Sequence, residues 1–258
     1  MPLAIRRMDR RRASSTGFTL VELMVVICIA GVLMALLLPA LSSAKEKSRR
    51  SVCNQNIRET RYALTMYADA NEDRLPPSTD NRGESYHSIV LSDFAFTNIV
   101  ENLGGESNSL YCPNLAYATG MMGGYDPDTG YTIGYSYLAA TGIPAIPQGP
   151  EPANWTGPLK ATETGEVIAD ANYWKPSGQP ITIAPHTPNG GTVAIPMISV
   201  AGSSSTRSVS TSVAPGATSA AMGAVGGNIG SLDSSVIWQP IRAMKKYSAS
   251  SDGALGNW

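Results

Sequence analysis

Glu22 is the single charged residue in the 24-residue run from Phe18 to Leu41. At about 1.5 Å per helical residue that run spans roughly 36 Å, enough to cross the hydrocarbon core of a bilayer. A carboxylate near the start of such a span costs about 2.5 kcal/mol or more if it faces lipid at depth, so it needs a partner or a route to the interface. Cutting the chain after Gly17 would supply the partner. The new α-amine on Phe18 would lie one helical turn from Glu22 and could neutralise it within one subunit or between neighbours. The alternative is a carboxylate that simply reaches the membrane surface.

The flanks of the run are basic on both sides. Residues 1–17 carry Arg6, Arg7, Arg10, Arg11 and Arg12 against Asp9, and Lys45, Lys47, Arg49 and Arg50 follow the run. Charge bias therefore does not set the topology. A secretory signal has an apolar core of only about 7 to 15 residues. Ser42-Ser43-Ala44 nevertheless offers a small-residue cleavage site, which leaves open a secreted chain starting at Lys45. The remainder is rich in Gly, Pro and Ser. With 15% charged residues and a formal net charge of -1, nothing calls for a nucleic-acid partner.

Gly17-Phe18-Thr19-Leu20-Val21-Glu22-Leu23, with its basic leader and apolar run, resembles the prepilin motif of type IV pilins and type II secretion pseudopilins. The resemblance implies that a prepilin peptidase cuts after Gly17 and methylates Phe18. It also implies that Glu22 pairs with the N-terminus of an adjacent subunit during assembly, and that Pro39 bends the helix. The implied partners are that peptidase, further copies of the chain, other pseudopilins, the lipid bilayer and an inner-membrane assembly platform. The implied location is a single-pass inner-membrane protein with a periplasmic head, assembled into a periplasmic or extracellular fibre. Calcium is bound by the major pseudopilins, but no ligand set can be matched here, and no metal ligand or cofactor is assigned.

Past Pro39 the helical period resumes in amphipathic form. Cys53, Ile57, Thr60, Leu64 and Tyr67 make a stripe, with Val52, Asn56 and Ala63 beside it. Arg50, Arg58, Glu59, Arg61 and Asp69 fall off it and read as a solvated face. Leu75-Pro76-Pro77 is expected to end the helix. Cys53 and its surroundings, together with Tyr111-Cys112-Pro113, resemble two cysteine elements of a planctomycete or verrucomicrobial pseudopilin-like subgroup. Cys53 and Cys112 are candidates for a disulfide in an oxidising compartment, whereas Cys28 reads as a small hydrophobe.

Further on, 88–96 reads as a short helix and 131–138 as a strand. Short strands are expected at 167–170, 181–184 and 192–195, and a flexible Ser/Thr-rich loop at about 201–220. Residues 226–238 form two strands around Asp233-Ser234. They resemble that subgroup's C-terminal hairpin, except that Gly223 stands where its upstream histidine is usual. Asp126 to Gly130 is spaced as an Asp-rich turn rather than a calcium loop. The tyrosines at 111, 117, 125, 131, 135 and 137 read as core or semi-exposed sheet, with a sugar platform as the functional alternative.

No catalytic motif is present, and His87 and His186 lie in different neighbourhoods, so no enzyme is expected. The expected architecture is α+β and pilin-like. Residues 1–17 are a cytoplasmic leader, 18–41 a transmembrane assembly helix and 42–75 its amphipathic continuation. Residues 76–258 are a small head of antiparallel sheets. The expected role is a structural fibre subunit, and the competing class is a secreted or tethered binding protein, such as a carbohydrate binder. Gly17→Glu is expected to block processing, so that intact-mass measurement recovers only the precursor; normal maturation of that variant would remove the cleavage claim.

Overall fold

The computed structural model describes residues 18–84, 88–116, 124–140, 142–143, 155–178, 180–188, 190–194, 216–250 and 253–258. The chain divides into two compact units, Met1–Leu41 and Ser42–Trp258. One helix, α1 (Leu20–Ala70), runs through the division, with Pro39 inside it. Pro39 has no N–H to give the Ala35 carbonyl, a loss of one helical bond. Up to Leu41 the helix exposes nearly every apolar side chain, and it is long and apolar enough to cross a membrane. The leader and Gly17 lie outside the described residues.

From Ser42 onward α1 belongs to the second unit and buries one face. Cys53, Ile57, Thr60, Ala63, Leu64, Tyr67 and Ala68 are buried, as the stripe requires, while Val52 is exposed. One charged residue departs from expectation. Arg61 is only 3% exposed rather than solvated; it donates to Ser234 Oγ at 3.1 Å and stacks on the Tyr62 ring. Glu46 is also buried. The helix stops at Ala70, short of Leu75. Glu72 and Asp73 both take positive φ there, and the Asp73 N–H returns to the Ala68 carbonyl at 2.9 Å. A left-handed exit of this kind satisfies the last carbonyls without waiting for a proline.

Among the described residues all strand pairs are antiparallel. β1 (Val90–Leu91), β2 (Tyr125–Asp126) and β3 (Gly130–Thr132) form a small sheet in the order β1-β3-β2. β5 (Gly142–Ile143) and β6 (Trp155–Thr156) pair as a hairpin. A four-stranded sheet combines β4 (Tyr135–Tyr137), β7 (Glu166–Asp170), β11 (Gly226–Ser231) and β12 (Val236–Pro240) in the order β12-β11-β7-β4. A five-stranded sheet has the order β10-β9-β8-β14-β13. Its members are β8 (Tyr173–Lys175), β9 (Ile181–Thr187), β10 (Gly190–Ala194), β13 (Lys246–Ser248) and β14 (Leu255–Asn257). Among the described residues the unit also holds two short α-helices, α2 (Asp93–Asn102) and α3 (Pro113–Ala116).

The expected strands at 167–170, 181–184 and 192–195 correspond to β7, β9 and β10, although Ile195 lies outside the described residues. The 226–238 hairpin is β11 and β12. Its turn holds Ser234 at φ 76°, and Asp233 Oδ1 accepts from the Ser235 N–H at 2.9 Å. Two readings are corrected. The 88–96 segment is strand β1 followed by α2, because Ser92 caps Ala95 N–H and starts the helix after Leu91. The 131–138 segment breaks into β3 and β4 around Ile133-Gly134. A Cβ on Gly134 would stand 2.4 Å from the Cys112 backbone nitrogen, so close approach of another strand of chain forces the break. The 126–130 turn is the β2–β3 connection, and Asp126 Oδ1 accepts from its own backbone at Asp128 and Thr129. Of the expected Ser/Thr-rich loop, 201–215 lies outside the described residues.

Helix α1 meets the four-stranded sheet at Ile57, which is fully buried. A Cβ on Gly230 would approach the Ile57 Cγ2 to 2.6 Å and the Ile168 Cγ2 to 3.2 Å. Ile57→Ala should lower unfolding stability by about 2–5 kcal/mol, and Gly230→Ala by about 1–3 kcal/mol through overpacking. Denaturant titration of the detergent-solubilised chain reads both, and a neutral Gly230→Ala would show that the sheet can recede from the helix.

Candidate functional site

Two groups of residues carry chemistry, one in each unit. In the first, Phe18 is exposed and precedes the helix, and Glu22 lies in its first turn. Glu22 N–H donates to Thr19 Oγ1 at 3.2 Å. In return Glu22 Oε2 accepts from the Thr19 N–H at 2.9 Å and from its hydroxyl at 2.7 Å. This reciprocal pairing is a capping box, which satisfies amide groups that no preceding turn can reach. The Thr-x-x-Glu spacing that produces it is plain in the sequence but is masked by the interest of the carboxylate itself. Both bonds to the side chain fall on Oε2.

The second group is buried in Ser42–Trp258. Cys53 comes from α1, Cys112 from the residue before α3, Asp170 from the end of β7 and His186 from β9. The structure brings the two cysteines together as thiols with Sγ atoms 3.1 Å apart. Asp170 and His186, neither of which the sequence marked as a partner of the cysteines, lie against them. One potential ligand atom from each of the four residues is within 4.8 Å of every other. All four are fully buried.

The surroundings of this cluster are polar and closely ordered. His186 presents Nδ1 to Glu46 Oε1 at 2.8 Å and Nε2 to Asp170 Oδ2 at 3.2 Å. Glu46 also accepts from Arg50 Nε at 3.0 Å and from Asn114 Nδ2 at 2.9 Å. Asn114 gives its other amide hydrogen to the Pro185 carbonyl at 2.9 Å and accepts from Arg49 at 3.1 Å. Asp170 Oδ2 accepts from the Asn228 N–H at 2.6 Å and from its side-chain amide at 2.9 Å. The Tyr135 hydroxyl accepts from Asn56 and adjoins the Cys53 sulfur. Trp238 meets the His186 ring in a T-shaped contact, centroids 5.4 Å apart, with the Arg50 guanidinium 4.3 Å over its face.

These contacts set the ionisation. Burial pushes His186 down, but the carboxylates of Asp170 and Glu46 beside its two nitrogens outweigh it and lift the group to about 10. Burial would raise Glu46, yet hydrogen bonds from His186, Asn114 and Arg50 hold it below the ordinary carboxylate range. The neighbouring Cys112, and then burial, push the Cys53 thiol far up. A paired thiol, an imidazole and a carboxylate at this separation are the donor types that bind soft or borderline metal ions, and the thiols are also placed to oxidise.

Residues 12–38 match a family model described as the prokaryotic N-terminal methylation motif. Over 57 residues, 22% of this chain, the sequence is 46% identical to type II secretion system core protein G of Klebsiella michiganensis, covering 40% of that protein. It is 42% identical over 60 residues to the protein of the same name from Pseudomonas aeruginosa and 43% identical over 63 residues to that from Escherichia coli. Those matches cover 23% and 24% of this chain and 41% of each relative. The chain thus spans about two-fifths of the length of the curated relatives it matches. No solved structure matches.

Because Glu46 is buried and anchors His186, Asn114 and Arg50 together, Glu46→Ala should cost about 3–5 kcal/mol by leaving those partners uncompensated. Thermal or urea unfolding checks this, and a loss below about 1 kcal/mol would mean that water replaces the carboxylate at no cost.

Proposed function

We propose that the chain is a pseudopilin, a structural subunit of a type II secretion or type IV pilus-like fibre. It would be made as a membrane-anchored precursor, cut after Gly17 and methylated on Phe18. The observation that carries this reading is the match of residues 12–38 to the N-terminal methylation motif, on a helix whose first half is apolar and exposed. Similarity of the N-terminal quarter to secretion-system core proteins supports it further.

In this reading the exposed apolar side chains of Phe18 to Leu38 pack against those of other subunits once they leave the bilayer, and the second unit, on the periplasmic side, covers the fibre. Glu22 would drive the step. With Oε2 engaged by its own Thr19, Oε1 takes none of those bonds and can accept from the α-amine of a neighbouring Phe18. An unpaired carboxylate at depth costs about 2.5–3.5 kcal/mol, so pairing it favours assembly over lateral freedom in lipid. The prepilin peptidase, an inner-membrane platform and other pseudopilins would be the partners, and the role is mechanical rather than catalytic.

Mass spectrometry of the mature N-terminus tests the reading directly. A methylated Phe18 is expected, whereas a start at Lys45 would replace it with an exported binding protein. Glu22→Ala should insert and be processed while losing most fibre formation, scored by shearing and immunoblot; wild-type fibre yield from that variant would overturn the pairing role.

A further inference from the structure

The four buried groups leave a specific polar deficit. Asp170 Oδ1 is fully buried and makes no hydrogen bond, and the buried His186 Nε2 makes none either, having only its 3.2 Å ion-pair contact with Asp170 Oδ2. Buried polar atoms are nearly always paired, so an unpaired carboxylate oxygen and an imidazole nitrogen held only by an ion pair, in a cluster with two free thiols, call for a missing partner. The two thiols facing the same space offer only weak donors. A dication would take a lone pair from each of the four groups and leave none of them orphaned.

We infer that Cys53, Cys112, Asp170 and His186 form a structural zinc site in the second unit. Two sulfurs, one ring nitrogen and one carboxylate oxygen are the ligand types and number of a closed four-coordinate zinc centre. The outer contacts are those such a centre needs. His186 turns Nδ1 to the Glu46 carboxylate, which fixes the ring so that Nε2 faces inward. Asn228 holds Asp170 through Oδ2 alone, which presents Oδ1 as the ligand atom. Arg50 offsets the charge of Glu46. With Zn–S bonds of about 2.3 Å, tetrahedral geometry sets the sulfurs roughly 3.8 Å apart, so the thiols need to part by less than 1 Å from their 3.1 Å spacing. Binding involves no electron transfer: the metal displaces the protons of both thiols and of His186 Nε2 to solvent.

A Cys53–Cys112 disulfide is the competing use of the same sulfurs. It would engage neither group: Asp170 Oδ1 would stay buried without a hydrogen bond, and His186 Nε2 would keep only its contact with Asp170 Oδ2. Four ligands from segments far apart in sequence would instead be clamped to one point, as structural zinc does when binding is coupled to folding.

The test uses the full chain, purified in detergent without added reductant, with Zn2+ as the probe. Elemental analysis should find about one zinc per chain, and denaturation in chelator should free all three thiols. The chain loaded with cobalt(II) should show thiolate-to-metal charge-transfer absorption and tetrahedral ligand-field bands, a readout that needs no variant. Glu46→Gln should weaken zinc retention against a competing chelator by about 10- to 100-fold, and Cys28→Ser should leave it unchanged. A metal-free chain with a single titratable thiol and a Cys53–Cys112 cross-linked peptide would overturn the site, as would zinc retained undiminished by Asp170→Ala/His186→Ala. The result is independent of whether Phe18 is methylated or fibres form.

Discussion

Glu46 imposes the strictest condition on the second unit. It is buried on the inner face of α1, where an unpaired carboxylate would be intolerable, and its charge is compensated by groups from three other places in the chain. Arg50 comes from the next turn, Asn114 from α3 and His186 from β9. Satisfying one charge therefore fixes the helix against a second helix and a sheet strand at once. His186 in turn faces Asp170, and Asp170 is tied to β11 by Asn228. The apolar contacts around Ile57, Leu64 and Tyr135 supply the bulk of the burial, but they are non-directional. The polar chain from Arg50 to Asn228 is what assigns each element a single register.

The same helix carries a second carboxylate under opposite conditions. Glu22 is exposed, near an N-terminus with unfilled amide groups, and it closes a capping box with Thr19. One is held by distant residues and the other by its own first turn. Both illustrate how a charge in an apolar setting persists only where its hydrogen bonds are supplied in advance.

What could be read from the sequence was what depends on short spacing. The apolar run, the stripe from Cys53 to Tyr67, the strands β7, β9 and β10 and the hairpin around Asp233-Ser234 each follow from neighbours within a turn or a few residues. Arg61 was misread because helical spacing places it at the border of the stripe, and only the position of Ser234, in a turn far along the chain, draws it inward. The end of α1 was misplaced because left-handed Glu72 and Asp73 terminate it before the prolines. The buried cluster was legible only in its cysteines. Cys53 and Cys112 are separated by 59 residues, and Glu46 and His186 by 140. No local period encodes such a meeting. A charged residue seven positions before Cys53, and so on its face, was one available sign, and Glu46 supplied it.

The strand order of the five-stranded sheet has a further consequence for how the protein is made. β14 lies between β8 and β13, although it follows β8 by most of the C-terminal third of the chain. During vectorial synthesis or export β8 keeps an unpaired edge until β14 emerges, and the sheet cannot close in stages. The nascent second unit therefore presents an open template for strand addition until its last strands have paired in the sheet. Quality control of such a protein falls on this interval before closure, and agents that shield strand edges should matter more to its yield than its final stability does.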